Sequence, residues 1–255
     1  MRTLHSFLPS RRPALAALAV AVAAGLSAAF SVPTDPPVFS NPLDFTNEWQ
    51  PFVEGGVKVF QGKSDGEAEV VVDIYLTDTR EFDLGGEPVA CHILQETEFS
   101  GGAVSEISLN YFAQGDDGAV YYFGEVVDTY EDGVVTGHDG SWLVGGPTLP
   151  SDPKDTATAD APALFMPANP EVDDTFKPED LAPFVDETDV ILDTDVKVKV
   201  PAGKLEGCIK VGESSSLDTD TETKWYAPGL GYVRVKAKGE SLKLVAATFG
   251  PVVEP

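Results

Sequence analysis

Two adjacent carboxylates, Asp116 and Asp117, stand between glycines in the stretch YFAQGDDGAVYYF, Tyr111 to Phe123. Acids so placed could ligate a hard cation, act as a catalytic pair, or cap a hairpin. A calcium loop of the EF-hand type spaces its oxygen ligands at alternate positions and closes on a glutamate. Here the acids are contiguous and run straight into Gly118, which favours a solvated hairpin. A second group, His138, Asp139 and Ser141 in GHDGSW, holds the ingredients of a hydrolase triad. Residues this close in sequence do not reach triad geometry, and no G-x-S-x-G elbow exposes Ser141, so a polar hairpin end is expected. His92 shares its alternation phase with Leu94 and reads as a packing histidine. Beyond the first 31 residues the chain has only these two histidines and two cysteines, too few for most zinc sites. No catalytic residue, metal or cofactor is expected, and the balance falls towards a protein that is not an enzyme.

Cys91 and Cys208 are a candidate disulfide if the chain enters an oxidising compartment. Tyr111, Trp225, Leu109 and Phe123, joined by Trp142, are candidates for lining an apolar ligand cavity. Large aromatic residues on strands also fill cores, and the residue types do not separate the two roles.

The elements that must position these residues follow from an internal repeat. NYFAQGDDGAVYYF aligns with KWYAPGLGYVRVK, pairing Tyr111 with Trp225 and Gly115 with Gly229; VACHILQE aligns with EGCIKVGE, pairing Cys91 with Cys208 and Glu96 with Glu213. VVDIYLTDT, from Val71, aligns with ETDVILDTD, from Glu187, and NPLDFTNEW with NPEVDDTF. The second copy of the aspartate-bearing turn is APGLGY, which keeps the glycines and has no acid, so the shared signal is the turn. Apolar residues alternate at period two in both copies. These features predict one all-β domain over 32–255, an antiparallel sheet or half-barrel of about ten strands built from two sequence-related halves. Repeat one spans 41–125 and repeat two 169–247, joined over 126–168 by a hairpin and a Pro/Asp/Thr-rich loop expected to be mobile. Lys177 to Val185 carries a weak helical signal interrupted by Pro183, predicting a short turn at most.

The first residues place Arg2, Arg11 and Arg12 ahead of an alanine-rich apolar run that ends in small residues at Ala29 and Ser31, the form of a secretory signal peptide cleaved near Ser31. The arginine pair leaves Sec and twin-arginine export both open. The chain carries 42 acidic against 17 basic residues, a net charge of −25, and the leader holds three of the arginines. So acidic a surface disfavours nucleic acid and anionic membranes as partners and favours solubility outside the cell.

VPAGKLEGCIKV followed by TKWYAPGLGYVRV, with VYYFGE and MPANPEVDDTF, resembles a group of secreted bacterial proteins built on V-P-A-G-x-F and W-Y-A-P-G-x-G-x-V modules; Leu205 stands where those modules carry phenylalanine. By analogy the resemblance implies an open sheet curved round an apolar cavity, as in lipoprotein carriers of the Lol type, and it brings no catalytic residues. The expected function is thus a secreted or periplasmic, non-enzymatic binding protein for a lipid or other apolar or amphipathic small molecule. The alternatives are a carboxylate-dependent glycan-active enzyme and a structural or interaction protein of the cell envelope.

Overall fold

The computed structural model describes residues 36–217 and 219–251; the leader read from the first 31 residues lies outside them. Fifteen strands make the fold: β1 Val57–Ser64, β2 Glu67–Leu84, β3 Glu87–Ser100, β4 Ala103–Gln114, β5 Val120–Glu131, β6 Val134–Gly137, β7 Trp142–Val144, β8 Ala157–Ala159, β9 Ala163–Met166, β10 Thr175–Leu181, β11 Val185–Val200, β12 Gly203–Ser214, β13 Thr221–Ala227, β14 Gly231–Ala237 and β15 Glu240–Ala247. All belong to one sheet, which follows the order β10 to β15, then β1 to β5, then β7 and β8, with β6 and β9 also paired to β5. Every pairing is antiparallel except β7 with β8.

The expected open half-barrel of about ten strands is therefore corrected to a nearly closed barrel of fifteen. Closure comes from the junction of the two runs. The last strand, β15, pairs with the first, β1, so that what would be two sheet edges become one continuous ladder. On the opposite side β9 lies beside β10, and the Trp142 Nε1–H on β7 donates to Glu179 Oε1 on β10 at 2.9 Å, a polar clasp across the remaining seam.

Length and curvature explain why the strands can close. β2 and β11, 18 and 16 residues long, each break register once or more, between Tyr75 and Thr79 in β2 and at three places in β11. Such irregularities bend a strand and raise its twist, which lets a long sheet curl on itself. At Gly62 the backbone of Ser241 comes so close that a Cβ would sit 1.8 Å from its carbonyl oxygen, so only glycine allows β1 and β15 to meet there.

Two further expectations change. Lys177 to Val185 is not a helical turn; most of it is strand β10, and the chain reverses into β11 at Ala182 to Phe184. The Pro/Asp/Thr-rich loop is fastened rather than loose. Arg80 on β2 forks onto Asp152, with Nη1 to Oδ1 at 2.9 Å and Nη2 to Oδ2 at 2.8 Å, and Asp152 Oδ2 also accepts the backbone N–H groups of Thr148 and Leu149 at 2.8 Å. The two cysteines are not joined: Cys91 on β3 and Cys208 on β12 are separate buried thiols, and in the strand order they are six strands apart. Equivalent places in two halves laid side by side in one sheet are a repeat apart, which is why the candidate disulfide fails.

Candidate functional site

Strand alternation sends every second residue to one face, and on several strands that face carries acids in phase with core apolar residues. On β2 the buried set is Glu69, Val71, Asp73 and Tyr75; on β3 it includes Leu94, Glu96 and Glu98; on β11 Glu187, Asp189 and Ile191. Facing them are two ammonium groups, Lys58 on β1 and Lys224 on β13, each 2% accessible. Buried carboxylates thus outnumber buried lysines severalfold.

The pairing registers make two comparable arrangements. Asp73 is opposite Glu96 across β2 and β3, and Leu94 is opposite Asn110 across β3 and β4. Asp189 is opposite Glu213 across β11 and β12, and Val211 is opposite Lys224 across β12 and β13. Asn110 and Lys224 hold the same place, each just before the aromatic residue of its strand.

In the first arrangement Lys58 Nζ lies 3.4 Å from Asp73 Oδ2 and donates to the Tyr232 carbonyl at 3.1 Å, within 6 Å of the Phe60, Tyr75 and Tyr232 rings. Burial lowers the lysine's pKa and raises that of Asp73, while each group's charge works against that for the other. Further along, the Tyr122 hydroxyl is 2.5 Å from Asn110 Oδ1 and 3.1 Å from Glu125 Oε2. One hydroxyl carries one proton. The Asn110 amide donates to Ser108 Oγ and the Leu94 carbonyl, so its oxygen can only accept, and the tyrosine proton goes there. Glu125 must then supply the other proton. It is a neutral acid, consistent with burial and the nearby Glu106 pushing its pKa well above the usual carboxylate range.

In the second arrangement Lys224 contacts Glu213 and lies 3.5 Å from Glu187 Oε1. One carboxylate oxygen from each of Glu187, Asp189 and Glu213 lies within 4.8 Å of the other two. Burial, then mutual repulsion, raises the pKa of Glu187 and Asp189, whereas the acids around it hold the Lys224 ammonium strongly charged despite its burial.

The residues proposed as cavity lining do not converge. Tyr111 and Phe123 come together on Phe82, at 5.3 and 5.4 Å, with the Arg80 guanidinium 4.9 Å from the Tyr111 ring, in the layer next to the fastened loop. Leu109 is half-buried on the same strand face as Tyr111. Trp142 is at the seam, with its ring 5.2 Å from Tyr122. Trp225, next to Lys224 in the chain, takes the opposite strand face and carries Arg234 at 4.5 Å. Next to the loop, Phe82, Pro88 and Val144 border a cleft of about 300 Å³, which the buried acids do not line.

The polar groups weighed first are structural fasteners. Asp116 accepts from Ser40 N–H and Oγ–H at 2.8 and 2.7 Å, and Asp117 from the Tyr121 hydroxyl at 2.7 Å. Ser141 Oγ accepts the Val127 N–H at 2.9 Å and His138 Nδ1 lies 2.8 Å from Asp128, so both are engaged with β5. His92 stacks on Phe52 at 4.0 Å with Nε2 3.0 Å from the Leu43 carbonyl. Proximity in the chain does not reveal the interior acids, because strand pairing brings them together from separate segments. The signal was acids in phase with core residues: Glu69, Asp73 and Tyr75, or Glu187, Asp189 and Ile191.

Among solved structures, the chain is similar to one described as a "putative lipoprotein" from Parabacteroides distasonis ATCC 8503, at 12% identity and a TM-score of 0.40, over 84% of this chain and 100% of that one. No protein-family model and no curated protein matches.

Proposed function

We propose that this is an exported, non-enzymatic binding protein of the cell envelope, built by duplication, whose barrel interior takes a cationic ligand or the cationic end of an amphipathic one. The observation that carries this reading is the imbalance of buried charge: among the described residues, carboxylates from both halves are buried in the interior and the lysines buried with them are Lys58 and Lys224. A buried anion without a counter-charge is costly, so such a lining favours uptake of positive charge or protons. A wholly apolar ligand would remove these acids from water without compensating them, which narrows the sequence-based expectation of a lipid to amphiphiles with a positive end. The leader supports export. The candidate catalytic groups Ser141, His138 and His92 are engaged by backbone or packing, which favours the binding reading over the enzymatic one.

Native mass spectrometry together with elemental analysis of the exported protein, purified without chelator, tests the reading. A stoichiometric metal ion or organic cation retained by the wild-type chain is expected, with less retained after Glu96→Gln combined with Glu213→Gln. Recovery of a neutral lipid instead, or no retained species and no effect of the substitutions, would overturn it.

A further inference from the structure

We propose that Glu187, Asp189 and Glu213 form a calcium site inside the second half of the barrel, with Lys224 as its built-in fourth charge. The proposal rests on the reading that the interior takes cations, and it names the ion and the residues.

Local geometry assembles the donors. Glu187 and Asp189 are two residues apart on β11 and so share a face, and Glu213 on β12 is the cross-strand partner of Asp189. The three donor oxygens lie within 4.8 Å of one another. An ion about 2.4 Å from each of its oxygens holds them at most about 4.8 Å apart, so the donor separation is in the range that calcium draws together. Among the described residues this is the group of three metal-ligating side chains that converges in this way.

A second observation points to a ligand. Asp189 Oδ1 and Glu187 Oε2 are buried and accept no hydrogen bond, in side chains that are 2% and 1% accessible. Other interior acids, Glu69 and Asp73 among them, also bury oxygens without a donor and so forfeit hydration; at Asp189 and Glu187 this coincides with three converging ligand groups. Lys224 reaches Glu213 and Glu187 and leaves Asp189 without a direct contact. Charge points the same way: with its ligands deprotonated by the bound ion, a site of three carboxylates and one ammonium presents two negative charges, which a divalent cation cancels.

The donor set selects the ion. Oxygen donors alone suit hard cations and exclude sites built for zinc or copper. Magnesium dehydrates reluctantly and keeps several waters, whereas calcium accepts a shell made largely of protein oxygens, as a buried site requires. Glu213 is the penultimate residue of β12 and Glu187 the third of β11, so these two ligands sit near one end of their strands. The first half supplies an internal control, because Asp73 and Glu96 repeat the pair, while Val71 stands at the place of Glu187 and Asn110 at that of Lys224.

The test uses the chelator-stripped mature chain and terbium as probe, with emission sensitised by Tyr226, buried two residues beyond Lys224 on the same face. One terbium per chain, displaced by calcium far better than by magnesium, is expected. Asp189→Asn and Glu213→Gln should weaken calcium binding more than about tenfold. Glu96→Gln should leave it unchanged. Calcium should also raise the melting midpoint of the wild-type chain. The proposal falls if terbium is not displaced by calcium, if folded Asp189→Asn binds as wild type, or if Glu96→Gln abolishes binding. Should the variants not fold, the wild-type chain still decides: no shift in melting midpoint at millimolar calcium overturns the site. An organic cation retained in native mass spectra without calcium binding would sink this site and leave the broader reading standing.

Discussion

At the scale of single residues, the interior depends on which atoms hold protons. Tyr122, Asn110 and Glu125 form a chain in which the tyrosine donates to the amide oxygen and the protonated glutamate donates to the tyrosine. Two substitutions separate the roles. Tyr122→Phe removes the shared hydroxyl and leaves both Asn110 Oδ1 and Glu125 without it, so it should cost about 1–3 kcal/mol in urea unfolding. Glu125→Gln keeps a neutral side chain with a donor on the same stem, and at neutral pH it should change stability by less than about 1 kcal/mol. If Glu125→Gln proves as damaging as Tyr122→Phe, the glutamate is ionised and the proton assignment is wrong. The cysteines give a simpler check. Burial pushes the Cys208 thiol up to about 11 and raises Cys91 well above its ordinary value, so neither is a thiolate near neutrality. Iodoacetamide should leave both unmodified in the native protein and label both in denaturant without a reducing agent; labelling that requires reduction would show a disulfide after all.

At the scale of elements, the loop after β7 is tied to β2 through one guanidinium. Arg80 forks onto Asp152 and lies flat against Phe82 and Tyr111, with its carbon 4.8 and 4.9 Å from their ring centres. Lysine would keep the charge and lose both the fork and the stacking. Arg80→Lys should therefore release the loop, seen as faster amide exchange at Thr148 and Leu149, while the exchange of β12 and β13 stays as in wild type. Equal acceleration everywhere would mean that Arg80 supports the whole barrel. Asp152 adds a pH signature. Its pKa is lowered in the fold, chiefly by Arg80 and the two loop amides against burial, so the clasp is fully present above the ordinary value of 3.8 and is lost as pH falls through the lower folded value. This loop shows where sequence reading stops. Its Pro, Asp and Thr content suggested mobility, and the residue that pins it is 72 positions away in the chain. The long strands, the glycine turns and the shared order of β2 to β5 and β11 to β14 were legible because alternation and turn chemistry are local. Barrel closure was not, since it rests on β15 meeting β1 and on Trp142 reaching Glu179, contacts between distant segments. The acid clusters were half legible: Asp73 and Asp189, and Glu96 and Glu213, were already aligned, but only strand pairing shows that each aspartate faces its glutamate.

At the scale of the whole molecule, the surface and the interior respond to pH by different routes. The net charge of −25 makes the folded chain repel itself more as acids ionise, an effect that added salt screens. The interior acids respond through burial, which salt reaches poorly. Glu69 and Glu240 show the sign. Burial is the main cause that pushes each from 4.5 up to about 7 in the fold, with Glu69 adding to the shift of Glu240. Between those values the folded chain binds more protons than the unfolded one, so its stability is full below about 4.5 and declines as pH rises through 7. The acid side is bounded by groups such as Asp152 and Asp186, whose lowered pKa values make their contribution full above about 3.8 and lost as pH falls through the folded values. The melting midpoint of the chelator-treated protein should accordingly peak near pH 4–5 and fall towards pH 7. In a chain of this size each 1 kcal/mol lost lowers it by about 2–4 °C. Repeating the titration in about 1 M salt separates the causes, because surface repulsion is then confined to a few ångströms. The decline should persist in salt and should shrink in the Glu69→Gln, Glu240→Gln double variant. A midpoint that is flat or rising between pH 5 and 7, or a decline that salt abolishes, would place the pH response on the surface and remove the argument that the barrel encloses more carboxylates than its own lysines can neutralise.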